Sequence, residues 1–206
     1  MFQRLFVPAF AALFMFLGAT TVRAAADDEA LNFIRDLAQK AITTVATQDI
    51  TDNDRNQRFR QLFVSAFDIP EIGKFVLSRH WQSATPTQQA EFLKLFEDTQ
   101  VLIWSQRFKR YNGVRLDTKG VKVENETTWL VDSQIIRPQG PPTQVQWRVQ
   151  KAVGGSLRII DIIAEGVSMA LTYRGDYAAV LQSNGGNVDA LLSTMRAKNI
   201  SLSKAP

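Results

Sequence analysis

The sequence predicts an α+β domain, and three observations carry that reading. Apolar residues recur every three to four positions through the first half of the chain. They alternate every second position between about residues 114 and 164, with turn residues between the runs. The helical period then returns to the C-terminus. Helices, then hairpin-spaced strands, then helices are expected to place an antiparallel sheet of about four strands against a helical layer.

The elements follow in order. Residues 30–45 form an amphipathic helix through Leu31, Ile34, Ala38, Ala41, Ile42 and Val45, with Asp27 and Asp28 near its positive N-terminal end. A second helix follows Thr51 and turns Phe59, Leu62, Phe63 and Ala66 to one side. Asp68-Ile69-Pro70 ends it and starts a short third helix, with Ile72, Phe75 and Val76 inward. Thr85-Pro86-Thr87-Gln88 carries a capping Thr, Pro at the first helical position and Gln at the third. The helix it opens is expected to run to Tyr111, before Asn112-Gly113. Its main stripe contains Phe92, Leu95, Phe96, Thr99, Leu102 and Ile103, while Trp104, Phe108 and Tyr111 lie partly off it. A helix apolar on more than one face has more than one apolar neighbour, and these three residues point to a second apolar surface.

Strands are expected over residues 114–118, 121–123, 129–135, 145–150 and 157–164, the first two being short pieces. The turns are Pro138-Gln139-Gly140-Pro141-Pro142 and Gly154-Gly155. Ile159, Ile160, Ile162 and Ile163 place isoleucine on both faces of the last strand. Helical pieces then follow near residues 167–173, 176–181 and 188–198.

The N-terminus reads as an export signal. Arg4 is a short basic segment, residues 5–17 are apolar apart from Pro8, and small residues follow. Cleavage is expected near Ala24 or Ala26. That leaves residues 1–26 as the leader and 27–206 as one domain; an uncleaved N-terminal anchor is the alternative. Arg4 and Arg23 leave with the leader and no acid does, so the net charge falls from +4 to +2. The remaining basic residues are scattered, which argues against a nucleic-acid partner.

Chemistry finds few candidates. The chain has no cysteine, which excludes disulfides, thiolate sites and a lipid-modified cysteine anchor. His80 is the only histidine, so no multi-histidine metal site can form. Gly166-Val167-Ser168 is followed by Met169-Ala170 rather than by the Gly of a nucleophile elbow, and no phosphate-binding Gly-rich loop occurs. Asn125-Glu126-Thr127 matches a glycosylation acceptor but reads equally as a turn. Asp161 and Glu165 are the acids an acid–base pair would use. The simpler reading is a strand-end acid paired with Arg174. No cofactor, catalytic residue or metal site is expected, and nothing demands more than a monomer.

Two blocks resemble a known family. The first runs Phe67-Asp68-Ile69-Pro70-Glu71-Ile72-Gly73-Lys74-Phe75-Val76-Leu77-Ser78-Arg79-His80-Trp81, with Ala84-Thr85-Pro86 and Glu91-Phe92 after it. The second is Asp161-Ile162-Ile163-Ala164-Glu165-Gly166-Val167-Ser168, with Arg174 six residues on. In this order, with the closing Leu191-Leu192 helix, they resemble the MlaC or toluene-tolerance (Tol-Tol-Ttg2) proteins over about residues 33–198. Ser78 stands where that family commonly has Gly before the Arg.

The resemblance implies a curved, NTF2-like sheet wrapped by helices around an apolar pocket. It also implies a periplasmic carrier that shuttles phospholipid between outer-membrane lipoprotein and inner-membrane ABC transporter complexes, the task behind outer-membrane lipid asymmetry. The hopanoid-associated HpnM type shares the motifs, so a hopanoid is the alternative cargo. An NTF2-like isomerase or dehydratase using Asp161, and an adaptor with a filled core, are alternatives of other classes. Residues expected to line a pocket are Phe75, Val76, Leu95, Phe96, Leu102, Phe108, Trp129, Val131, Trp147, Val149, Ile160, Ile162, Val167 and Leu171. Each would serve equally as ordinary core. Glu165, Ser168 and Arg174 are expected to cap the last helices and fix the rim.

Overall fold

The computed structural model describes residues 19–204 apart from residue 112, with side chains from residue 26 onward. The expected leader therefore lies largely outside the described residues. The element order is α1 (Ala19–Thr44), α2 (Asp52–Ala66), α3 (Ile69–Leu77), α4 (Arg79–Ser83), α5 (Pro86–Phe108), β1 (Arg115–Asn125), β2 (Thr128–Ile136), β3 (Thr143–Lys151), β4 (Leu157–Ala164), β5 (Val167–Ser168), α6 (Met169–Ser183) and α7 (Val188–Lys204). No helix among the described residues is long and apolar enough to cross a membrane.

The helix starts follow from side chains that accept otherwise unpaired N–H groups. Thr51 Oγ1 accepts from the Asp54 N–H at 3.1 Å, and Asp68 Oδ1 from the Glu71 N–H at 3.0 Å. Thr85 and Gln88 form the reciprocal capping box read from the sequence, at 3.2 and 2.9 Å. Ser168 Oγ accepts from the Leu171 N–H at 3.1 Å and opens α6. Helix α5 stops at Phe108, three residues short of expectation. The pieces expected near 167–173 and 176–181 are, from Met169 onward, one helix, and residues 167–168 form β5 instead. Gly175 weakens that helix locally, but packing against α3 and β4 outweighs the roughly 1 kcal/mol involved.

The sheet is an antiparallel meander in the order β1-β2-β3-β4-β5. Expected strands 114–118 and 121–123 are one strand, β1, because a bulge rather than a turn joins them. Thr118 pairs with Ser133 and Gly120 with Asp132, which leaves Lys119 unpaired. A second irregularity in β1 leaves Glu124 unpaired, since Val123 pairs with Trp129 and Asn125 with Thr128. A third lies in β4: Arg148 pairs with Asp161 and Val149 with Ile159, leaving Ile160 as the extra residue. Bulges bend and twist a strand, and these three curve the sheet.

They also reset which residues face inward. Ile159 is opposite Val149, and beyond the bulge Ile162 is opposite Trp147, so odd and even positions of β4 share the inner face. The run of isoleucines is the sequence trace of that switch.

Two apolar cores result. One joins α2, α3, α5, α6 and α7 around Phe92, Phe96, Leu77, Leu181, Leu191 and Leu192. The other lies between α1 and the sheet, around Ile34, Trp129, Val131, Val149 and Ile159. The Asp68 N–H donates to Ile159 O at 3.0 Å and ties the α2–α3 junction to β4.

Candidate functional site

A cavity of about 330 Å³ lies between the curved sheet and the helices. This volume is at the lower end of the range for ligand pockets, about 300–1,000 Å³. Helix α1 contributes Ile34, Leu37, Ala38, Ala41 and Ile42 to its wall, and α2 contributes Phe59, Leu62 and Phe63. The sheet contributes Leu116, Ile135, Val145, Trp147, Ile160 and Ile162, and α6 contributes Met169, Ala170 and Tyr173.

Helix α5 presents a stripe. Phe96, Gln100, Trp104, Arg107 and Phe108 line the cavity at helical spacing, and Tyr111 continues the line just past the helix end. At 1.5 Å per residue the stripe from Phe96 to Phe108 rises about 18 Å. One leaflet of a bilayer's hydrocarbon is about 15 Å thick, half of ~30 Å. The wall therefore has the length of a lipid tail.

Arg107, Arg115 and Arg137 reach this space, and of the buried polar groups on the wall most are engaged, Gln100 Nε2 being without a partner. The Trp147 indole N–H donates to Ser133 Oγ at 2.9 Å, and Ser133 donates on to Val145 O at 2.8 Å. The sheet thus satisfies the polar edge of the indole. Tyr173 donates to Gln100 Oε1 at 2.8 Å. Burial raises the Tyr173 hydroxyl above its ordinary pKa against the opposing pull of that hydrogen bond.

Asp161 is the one carboxylate on the wall, and it is 6% exposed. Its partner is Arg148 at 3.0 Å, not the Arg174 expected from sequence. Ser168 Oγ donates to the same Oδ2 at 2.7 Å, and the Ala170 N–H donates to Oδ1 at 3.0 Å. The acid thus joins β3 to the start of α6. Glu165 is separate: its Oε1 accepts from the Gln144 N–H at 2.6 Å and closes the β3–β4 end. Arg174 instead lies over the Phe75 ring, 5.2 Å from its centre. Among the described residues no group of three or more His, Cys, Asp or Glu is placed to hold a metal.

Of the residues expected to line a pocket, Phe96, Phe108, Trp147, Ile160 and Ile162 stand on this wall. Val76 and Leu95 pack in the helical core, and Trp129, Val131 and Val149 pack beneath α1. Trp129 donates its indole N–H to Asp27 Oδ1 at 3.1 Å, which holds it toward α1. Leu102 is half-buried and off the wall. Phe75, Val167 and Leu171 are 41%, 53% and 58% exposed and stand off the wall, Phe75 being covered only in part by Arg174. Alternation marks an inward side chain but not which stretch of the sheet is covered by packed helix and which by empty space. Trp104, Phe108 and Tyr111, the off-stripe aromatics of α5, all line the cavity. The α1 and α2 contributions were missed because a cavity-facing stripe has the same period as a core-facing one.

A family model described as MlaC protein matches residues 35–197. The chain belongs to the MlaC family. Toluene tolerance protein Ttg2D of Pseudomonas putida is 21% identical over 123 residues, which cover 59% of this chain and 57% of that relative. The match therefore spans little more than half of Ttg2D. A phospholipid-binding protein from Ralstonia solanacearum, solved in complex with a phospholipid, shares the fold with a TM-score of 0.68. It is 23% identical, and the superposition covers 90% of this chain and 98% of that one.

Proposed function

We propose that this MlaC-family chain is an exported periplasmic lipid carrier. It encloses phospholipid acyl chains and moves them between an outer-membrane lipoprotein complex and an inner-membrane ABC transporter complex. The observation that carries the reading is the apolar, tail-length cavity between the bent sheet and α5.

The physics of the task favours such a shape. At about 0.8 kcal/mol per CH₂, two acyl chains of about sixteen carbons represent on the order of 25 kcal/mol of exposure to water. A protein that covers the tails removes most of that barrier to crossing an aqueous space. Tails offer no hydrogen bonds, so shape and apolarity are all the wall needs.

A carrier is favoured over an enzyme because Asp161 has both oxygens committed to Arg148, Ser168 and the α6 backbone. The Ralstonia protein, bound to a phospholipid in the same fold, supports the cargo. The leader over residues 1–26 and the single domain over residues 27–206 complete the proposal.

The test is lipid extraction and native mass spectrometry on protein purified after export. Bound phospholipid at near-stoichiometric level is expected. Protein that stays empty even when refolded with excess phospholipid refutes the carrier reading.

A further inference from the structure

A second hollow of about 470 Å³, more open and more polar than the first, adjoins the apolar cavity and shares Arg107, Tyr111, Val114 and Arg137 with it. Arg110, Pro138 and Gln139 complete its lining, and among the described residues no acid lines it. Arg115 is on the apolar cavity's wall and pairs through the backbone with Ile136, next to Arg137. Four arginines therefore line one or both of the two adjoining hollows, and all four are exposed, although basic residues elsewhere in the chain are scattered.

None of the four has a carboxylate within 4.0 Å among the described residues. Asp117 pairs with Lys119 at 2.6 Å and Asp52 with Lys109 at 3.0 Å, although Arg115 still acts on Asp117 at longer range. Two of the arginines are held in place by neutral groups. Arg107 stacks 4.6 Å from the centre of the Trp104 ring, and Arg137 donates to Thr143 Oγ1 at 2.8 Å. Both arrangements orient a guanidinium and leave its charge uncompensated. The negative end of α5 offsets only about half a charge.

We infer that this arginine-lined vestibule is an anion subsite that takes the phosphate of a lipid headgroup while the tails occupy the adjoining cavity. The inference rests on the carrier reading and narrows it: the cargo carries phosphate, and a lipid with a neutral head is held less well. Arginine suits the role because its planar fork meets two phosphate oxygens at once.

The test uses delipidated protein, native mass spectrometry and an equimolar mixture of phosphatidylglycerol and a diacylglycerol with the same tails. Because the tails are identical, the ratio of the two bound lipids reports the headgroup alone. Each exposed charge contact contributes a factor of about two to five, so three together give a preference on the order of tenfold or more. The wild type is expected to show that preference at low salt and to lose much of it in high salt. The triple variant R107Q/R115Q/R137Q is expected to bring the ratio toward one. Arg137→Gln alone is expected to lower it part-way, which keeps the test informative if the triple variant folds poorly.

A ratio unaltered by these substitutions overturns the inference and returns the arginines to contacts with an acidic protein. Inorganic phosphate that protects against thermal unfolding as strongly as the phospholipid overturns it in favour of a free-anion site. Capture of neither lipid by the wild type refutes the carrier reading itself, a result distinct from capture of both without preference.

Discussion

Replacing Asp161 by Asn separates a structural acid from a catalytic one. The carboxylate accepts from Arg148 at 3.0 Å, Ser168 at 2.7 Å and the Ala170 N–H at 3.0 Å, from a position 6% exposed. Asn keeps one oxygen for the Ala170 N–H. Its amide nitrogen then meets the Arg148 guanidinium donor to donor, while the Ser168 hydroxyl can rotate to accept. Arg148 retains Glu124, which it contacts at 2.8 and 3.1 Å, so it is not stranded.

The net loss is one buried, charge-assisted contact, roughly 2–3 kcal/mol. For a chain of this size that is about 2–4 °C per kcal/mol, or roughly 4–12 °C in Tm. Circular dichroism melts read the destabilisation, and native mass spectrometry on the folded variant reads lipid occupancy, which is expected to match wild type. An unchanged Tm would refute the claim that this web joins α6 to β4. Lost occupancy in a protein that is still folded would show that the carboxylate meets the ligand, and the enzyme reading would return.

Two further substitutions test the scaffold. Ser78 links α3 to α4 at φ 53° and ψ −129°, backbone that suits glycine, and its hydroxyl makes no cap hydrogen bond. Relief of strain of about 1–3 kcal/mol against the entropy of a new glycine gives Ser78→Gly a net gain of about 1 kcal/mol. Thermal melts should rise by roughly 2–4 °C, while Ser78→Ala is expected to be near neutral; a lower Tm for the glycine variant would refute the strain. Burial raises the Asp98 carboxyl, but the hydrogen bonds from Lys94 and Arg60 outweigh it and hold the group below its usual value. That depressed folded pKa contributes stability above the unfolded carboxylate value, about pH 4, and loses it as pH falls through the folded value. Asp98→Asn is therefore expected to lower stability by at most about 1 kcal/mol at neutral pH. Denaturant titrations should show the gap to wild type closing in acid, and a gap that widens there would contradict the sign.

The sequence carried the elements better than it carried the cavity. Helix starts were legible because Thr51, Asp68 and Thr85 have side chains whose chemistry is local. The strands were legible by alternation, and the register they adopt keeps Trp129, Val131 and Val149 inward. The bulges at Lys119 and Ile160 were not legible, because an extra residue looks either like a gap between two strands or like isoleucine on both faces. Which inward residues meet space rather than side chains was not legible either. Trp129 and Trp147 sit on the same face of neighbouring strands, yet one packs under α1 and the other walls the cavity. Only the placement of the helices distinguishes them. The off-stripe aromatics of α5 were the exception, since a helix cannot spend a second apolar face on a single core.

On the carrier reading, the division of the sheet gives a physical reason for the chain to fold without cargo. The half beneath α1 is closed by Ile34, Val131, Val149 and Ile159, each at most 1% exposed. The helical core is closed independently around Phe92, Leu191 and Leu192, all 0% exposed. Ile34 of one core and Phe59, Phe63 and Phe96 of the other also stand on the cavity wall, but Phe92, Leu191, Leu192, Val131, Val149 and Ile159 do not, so most of each core closes without an occupant. A bound tail supplies apolar contacts along the walls and stabilises the protein by mass action, in proportion to the logarithm of its free concentration. The same tail makes no directional bond, so nothing in the hydrocarbon itself fixes its depth. Any fixed depth has to come from the end of the lipid that stays outside, which is the role the arginine subsite proposed above would fill.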